Sequence, residues 1–181
     1  MEQFSDTELL ELFRKSENKN YSFNLLVRKY QKQIYWHIRR IVIDHDDAND
    51  VVQNTFIKAW NNLEGFREDA QFYTWLYRIA TNESINFLKQ KRSGFIISYN
   101  DVESQLCASL TDDPYFTGDE IQLKLQKAIL TLPEKQRIVF NMKYFEGIKY
   151  EDMAIILDTS VGALKASYHI AVKKIEKILT D

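Results

Sequence analysis

The chain has 181 residues, 45% hydrophobic and 28% charged, with 24 Lys+Arg against 26 Asp+Glu for a formal net charge of −2. That balance belongs to a globular protein and excludes a disordered tail. The single Cys107 excludes an internal disulfide framework and a multi-cysteine zinc site. No apolar run approaches the roughly 18 residues of a membrane span. The acidic start, MEQFSDTELLELF, is unlike a secretory leader, so a cytoplasmic location is expected. Five Gly and two Pro are too few for turn-rich β architectures.

In chain order the elements read as helices. Ser5-Asp6-Thr7-Glu8 has capping-box spacing and opens a short helix through Leu9, Leu10 and Phe13. From Phe23 the apolar residues fall at 23, 26, 27, 30, 34, 38 and 41, one continuous stripe. That helix should end near Ile43-Asp44-His45, with Asp46 as N-cap of the next. The next stripe is Val51, Val52, Thr55, Phe56, Ala59, Trp60 and Leu63, followed by a polar loop from Asn61 to Ala70. Phe72, Trp75, Leu76, Ile79, Ala80 and Leu88 then mark a further helix.

Residues 1–92 carry a net +1, residues 93–120 a net −6 with no basic side chain, and residues 121–181 a net +3. The middle stretch reads as an acidic linker. Beyond it, Ile121–Leu132 is one helix, and Pro133 sits in the first turn of another that runs to Phe145. Tyr150–Leu157 is short. Asp158-Thr159-Ser160 makes a turn with Ser160 as N-cap, and Val161, Leu164, Tyr168, Ala171, Ile175 and Ile178 form the inward stripe of the last helix. A short helix, a three-residue turn and a longer amphipathic helix make a helix-turn-helix candidate. The expected fold is all-α: two small helical domains, 1–92 and 121–181, joined by the acidic linker 93–120, the second domain a helix-turn-helix.

No nucleophile motif, Gly-rich phosphate loop or metal-ligand spacing is present, so no catalytic residue, metal or cofactor is expected. His45 between Asp44 and Asp46 fits an interhelical turn better than a metal site. Aromatics crowd the stretch from Trp60 to Tyr77, with Arg67, Arg78, Lys89, Lys91 and Arg92 nearby in sequence. Exposed rings beside basic groups are what binds unpaired bases. Most of these rings should be core; Phe66, in the Gly65-containing loop and outside every stripe, is expected to be free.

Asp46-Asp47-Ala48-Asn49-Asp50-Val51-Val52-Gln53-Asn54-Thr55-Phe56 resembles the polymerase-binding helix of sigma factors. Phe72-Tyr73-Thr74-Trp75-Leu76-Tyr77-Arg78-Ile79-Ala80-Thr81-Asn82 resembles their promoter-melting segment. Leu132-Pro133-Glu134-Lys135-Gln136-Arg137 and Tyr150-Glu151-Asp152-Met153-Ala154 resemble the entry to their C-terminal helix-turn-helix. With two blocks and a short linker, the chain is similar to the extracytoplasmic-function sigma factors. The resemblance implies a non-enzymatic subunit that binds the largest subunits of core RNA polymerase and promoter DNA, duplex and single-stranded, and it leaves room for an anti-sigma factor. It implies that Asp50, Gln53, Asn54 and Phe56 meet the polymerase, and that Phe66, Arg67, Tyr73, Arg78 and Asn82 serve the minus-ten element. It implies further that Ala163, Lys165, Ala166, Ser167, Ile170, Lys173 and Lys174 serve the minus-thirty-five element. Family members commonly carry Arg where this chain has Ser167, Ile170 and Val172, which leaves Lys165, Lys173 and Lys174 as the remaining cations of that surface. The competing class is a free-standing helix-turn-helix regulator. Net charge −2 and a weakly basic recognition helix argue against autonomous tight DNA binding.

Overall fold

A computed structural model describes residues 4–15, 18–94 and 120–180. Cys107 and all but the ends of the expected linker lie outside the described residues. Within them the chain forms α1 (Asp6–Lys15), α2 (Lys19–Val42), α3 (His45–Asn62), a 3-10 turn (Leu63–Gly65), α4 (Phe72–Gly94), α5 (Glu120–Leu130), α6 (Glu134–Tyr144), α7 (Tyr150–Leu157) and α8 (Val161–Thr180). The expected all-α class holds. Ser93 and Gly94 finish α4, and Glu120 opens α5.

Local chemistry explains the boundaries. The Ser5 amide donates to Glu8 Oε2 at 2.7 Å and the Glu8 amide donates to Ser5 Oγ at 3.2 Å, the reciprocal capping box. The Ser5 amide, joined by the Ser5 hydroxyl at 2.8 Å, donates to the Glu8 carboxylate and holds it below its usual pKa. Between α2 and α3 the backbone turns at Ile43, whose φ is +74°. Asp44, not Asp46, is therefore the residue that leaves extended geometry into the helix, and its carboxylate accepts from the Asp46 and Asp47 amides, both at 3.0 Å. Asp46 instead sits in the first turn, where a negative charge complements the helix dipole. α3 runs on to Asn62, so the loop expected from Asn61 starts later, after the 3-10 turn. Gly147 has φ +63°, a left-handed conformation that glycine adopts without penalty, and it turns the chain out of α6 toward α7.

Phe23, Leu26, Tyr30, Ile34, Ile38 and Ile41 of α2 are buried, as their spacing requires. The core they form does not stop at the first block. Ile138, Val139 and Met142 of α6, Ile148, Met153 and Ile156 of α7's neighbourhood, and Leu164 of α8 belong to the same buried cluster. A second cluster of Ala128, Ile129, Leu132, Phe140, Ala171 and Ile175 joins α5, α6 and α8. The helix-turn-helix thus rests on α4 through α7 and on α5 and α6 through α8, while α6 also packs on α2.

Candidate polymerase and nucleic-acid interfaces

α3 presents the first surface. Its inner side, Ala48, Val51, Thr55 and Ala59, is buried, which turns Asp50, Gln53 and Asn54 to solvent at i, i+3 and i+4. Phe56 is half-buried and packs on the core, so it supports this surface from below. Ile57 completes the outward stripe at i+7 and is 57% exposed. It went unremarked in the sequence because a lone apolar residue carries no periodic signal; its spacing from Asp50 is the clue. Beside it Asn20, Phe23, Asn24, Phe56, Ile57 and Trp60 line a groove of about 450 Å³.

The second surface spans the loop after α3 and the start of α4. Phe66 does not stand free. It is 7% exposed, with its ring centroid 5.0 Å from Trp75 and 6.0 Å from Phe72. Its carbonyl accepts from Arg14 Nη2 at 2.9 Å, and Arg14 also pairs with Glu68, a residue at φ +60°. Phe66 is therefore a core anchor that fixes the loop to α1. Arg67, Arg78 and Asn82 are exposed. Tyr73 is half-buried and its hydroxyl donates to Asp152 Oδ2 of α7 at 2.7 Å. Burial and that bond raise the Tyr73 pKa.

The third surface is α8. Asp158, at φ +50°, ends α7 in left-handed geometry, and Ser160 Oγ accepts the Ala163 amide at 3.2 Å to start α8. Leu164, Ala171 and Ile175 are buried. Ala163, Ala166, Ile170, Lys173 and Lys174 face solvent along one stripe, and Ser167 is half-buried within it. Ile178, assigned to the inward stripe, is 37% exposed because the helix end passes beyond its support. Lys165 lies on a flanking position with its Nζ 5.8 Å from the centre of the Tyr150 ring. Lys174 donates to Gln136 Oε1 at 3.2 Å. Small alanines at the entry of a cation-flanked helix can approach thymine methyls closely.

The second and third surfaces meet at a seam between the blocks. Besides the Tyr73–Asp152 bond, Arg92 Nη2 donates to Glu134 Oε2 at 2.5 Å and Asn141 Nδ2 donates to the Arg40 carbonyl at 3.2 Å. His37, 1% exposed, faces Glu146. Arg40 lies over the Phe145 ring at 4.9 Å. Burial lowers the Arg40 pKa, opposed by the Glu146 carboxylate. Burial likewise raises the Tyr77 pKa, reinforced by Glu146.

An all-helical chain carrying a helix-turn-helix beside an aromatic and basic surface defines a DNA-binding transcription protein. Its sequence matches the models for sigma-70 region 2 over residues 26–94 and sigma-70 region 4 over residues 122–175. It is 35% identical to the RNA polymerase sigma-H factor of Pseudomonas aeruginosa, over 98% of this chain and 95% of that protein. It is also 35% identical to the ECF RNA polymerase sigma-E factor of Escherichia coli K12, over 91% of this chain and 89% of that one. The sigma factor RpoE in its complex with the anti-sigma factor NepR from Bartonella quintana shares the fold at TM-score 0.70 and 22% identity, covering 87% of this chain and 96% of that one. CnrH, solved with the cytosolic domain of CnrY, does so at TM-score 0.69 and 22% identity, covering 95% of each. The chain belongs to the sigma-70 family, in its ECF group. It is a non-enzymatic initiation factor that binds core RNA polymerase and directs it to promoters.

Proposed function

We infer that each exposed face has one task. The α3 stripe of Asp50, Gln53, Asn54 and Ile57, underpinned by Phe56, docks on the largest subunits of the polymerase, with the neighbouring apolar groove extending the contact. Arg67, Tyr73, Arg78 and Asn82 meet the minus-ten element, rings stacking on unpaired bases while the cations follow the backbone. Phe66 holds the loop that presents Arg67. The α8 stripe enters the major groove at the minus-thirty-five element: Ala163, Ala166, Ser167 and Ile170 lie against base edges, and Lys165, Lys173 and Lys174 against phosphates. On this reading residues 1–92 and 121–181 are the two functional domains and residues 93–120 connect them.

The observation that supports the reading most is the division of α3. One side is sealed in the core, while the other offers a polar stripe with an apolar residue 57% exposed at its end. Ile57 lies beside the groove lined by Phe23, Phe56 and Trp60, so polar stripe and apolar groove together make a surface that a partner can cover. The factor works in the cytoplasm, where its polymerase is. The solved likenesses were captured with NepR and with CnrY, so an anti-sigma factor is a fitting partner here too. No described helix is long and apolar enough to cross a membrane.

Transcription in vitro with purified core polymerase on a promoter library tests this. Promoter-specific transcripts should appear only when the chain is added, and Asp50→Lys should reduce them about tenfold or more. Transcripts that are unchanged by the chain, or by Asp50→Lys, would overturn the reading.

A further inference from the structure

The loop between α3 and α4 is gripped from outside by the N-terminal helix. Arg14, in the last turn of α1, commits both terminal guanidinium nitrogens to it. Nη2 donates to the Phe66 carbonyl at 2.9 Å, and Nη1 pairs with the Glu68 carboxylate. Lys19, at the start of α2, pairs with Glu64 of the 3-10 turn. The two cations thus hold the segment at Glu64, Phe66 and Glu68, and the exposed Arg67 lies between the last two. The grip has a rigid base. Leu9, Leu10 and Phe13 of α1 are buried, Phe13 meets the Trp60 ring of α3 edge-on at 5.6 Å, and Asp6 accepts the Tyr30 hydroxyl of α2 at 2.5 Å.

The loop needs that grip to keep its shape. Glu68 stands at φ +60°, a left-handed conformation that a residue with a side chain adopts at a cost and keeps only where its surroundings impose it. The buried Phe66 ring, packed on Phe72 and Trp75, fixes position 66 alone. Arg14 ties position 68 to position 66, because its planar fork reaches the carbonyl of one and the carboxylate of the other at once. A lysine there would offer one point charge and lose the fork. The pair with Glu68 is about two-fifths exposed on each side, and such pairs add little stability. What it adds is shape: Arg67 leaves the chain between two residues that the same guanidinium holds. A side chain that meets a ligand from a loop is only as well placed as whatever holds the loop.

We propose that Arg14 is a positioning residue for the minus-ten strand: from α1 it holds the backbone of Phe66 to Glu68 in the shape that presents Arg67 to the unpaired DNA. The proposal rests on the assignment of Arg67 to the minus-ten element, and its test separates the two. The full-length factor bound to core polymerase is titrated with an unpaired minus-ten oligonucleotide. Arg14→Ala should weaken binding about tenfold in the wild-type background and hardly at all over Arg67→Ala, the non-additivity of residues that act as one unit. Arg14→Lys, which keeps the charge, should behave like Arg14→Ala, whereas a cation that merely attracts phosphate would be replaced by it. Asparagine tolerates left-handed backbone, so Glu68→Asn added to Arg14→Ala should recover most of the affinity. Tryptic cleavage after Arg67 in the free chain, followed by mass spectrometry, reads the loop without DNA and should speed up in Arg14→Ala with helical circular dichroism unchanged. Wild-type cleavage and affinity in Arg14→Ala, or losses that add to those of Arg67→Ala, overturn the proposal. Faster cleavage in Arg14→Ala with Arg67→Ala binding like wild type shows that the grip is real and that Arg67 is not at the minus-ten strand, which removes the assignment and the proposed role together.

Discussion

The two surfaces we assign to promoter DNA differ in how deeply they are built into the fold. The α8 surface is open: its stripe projects from a helix whose opposite side alone is buried. The minus-ten surface is woven into the molecule, with Phe66 packed on Phe72 and Trp75, its carbonyl held by Arg14, and Tyr73 bonded across the seam. A motif therefore nominates residues for DNA without saying whether the free chain presents them. The open surface depends on side chains that can be exchanged at little structural cost. The woven surface couples recognition to stability, so changes in it should register first as folding defects.

The largest test of that contrast is Phe66→Ala. Removing a buried ring from an aromatic cluster should cost about 3–5 kcal/mol, seen as a large drop in the thermal midpoint. A wild-type melting curve would show that the loop is not part of the core. Next comes Asp50→Lys, on the α3 stripe, which is open in the same way as α8. It should weaken association with core polymerase about tenfold or more by charge reversal, with the melting curve unchanged. Survival of association would move the docking face elsewhere on the molecule.

Most helices were legible because their apolar spacing reports burial directly: α7 and the Ser160 cap fall where Tyr150–Leu157 and the Asp158–Ser160 turn place them. The failures have physical causes. Asp44 and Asp46 are chemically equal as caps, and the choice falls to the left-handed turn at Ile43, which no local pattern reveals. Phe66 looks free because a loop residue has no period; its ring packs on Phe72 and Trp75, and its carbonyl is held by Arg14, 52 positions away. The seam was invisible for the same reason, since His37 and Glu146 are 109 residues apart. Ile57 was missed as one apolar residue among polar ones. The functional stripes of α3 and α8 were readable only as the complement of their buried faces, and the resemblance supplied what each complement is for.

Smaller effects sharpen the comparison. Lys173→Ala, on the open surface, should leave stability unchanged and reduce the salt slope of duplex attachment by about 1, checked by titrating binding of the polymerase-bound factor against salt. A slope equal to wild type would take Lys173 off the phosphates. The least effect belongs to Glu8, whose capping box starts the helix that carries Arg14. The folded state holds its carboxyl below the usual pKa, so its stabilisation is present above the unfolded value and fades as pH falls through the folded one. Glu8→Gln should melt slightly below wild type at neutral pH, and the two curves should converge in acid. A gap that persists in acid would assign the loss to something other than the carboxylate.

The central claim is that promoter recognition is a property of the factor bound to its polymerase and not of the free chain. Fluorescence anisotropy on a labelled promoter duplex, with the chain alone and with core polymerase at the same salt, measures it most directly. Weak, sequence-indifferent binding by the chain alone and tight, promoter-specific binding with core polymerase is the predicted result. Tight, sequence-specific binding by the free chain would contradict the account and identify it as a regulator that reads duplex DNA unaided.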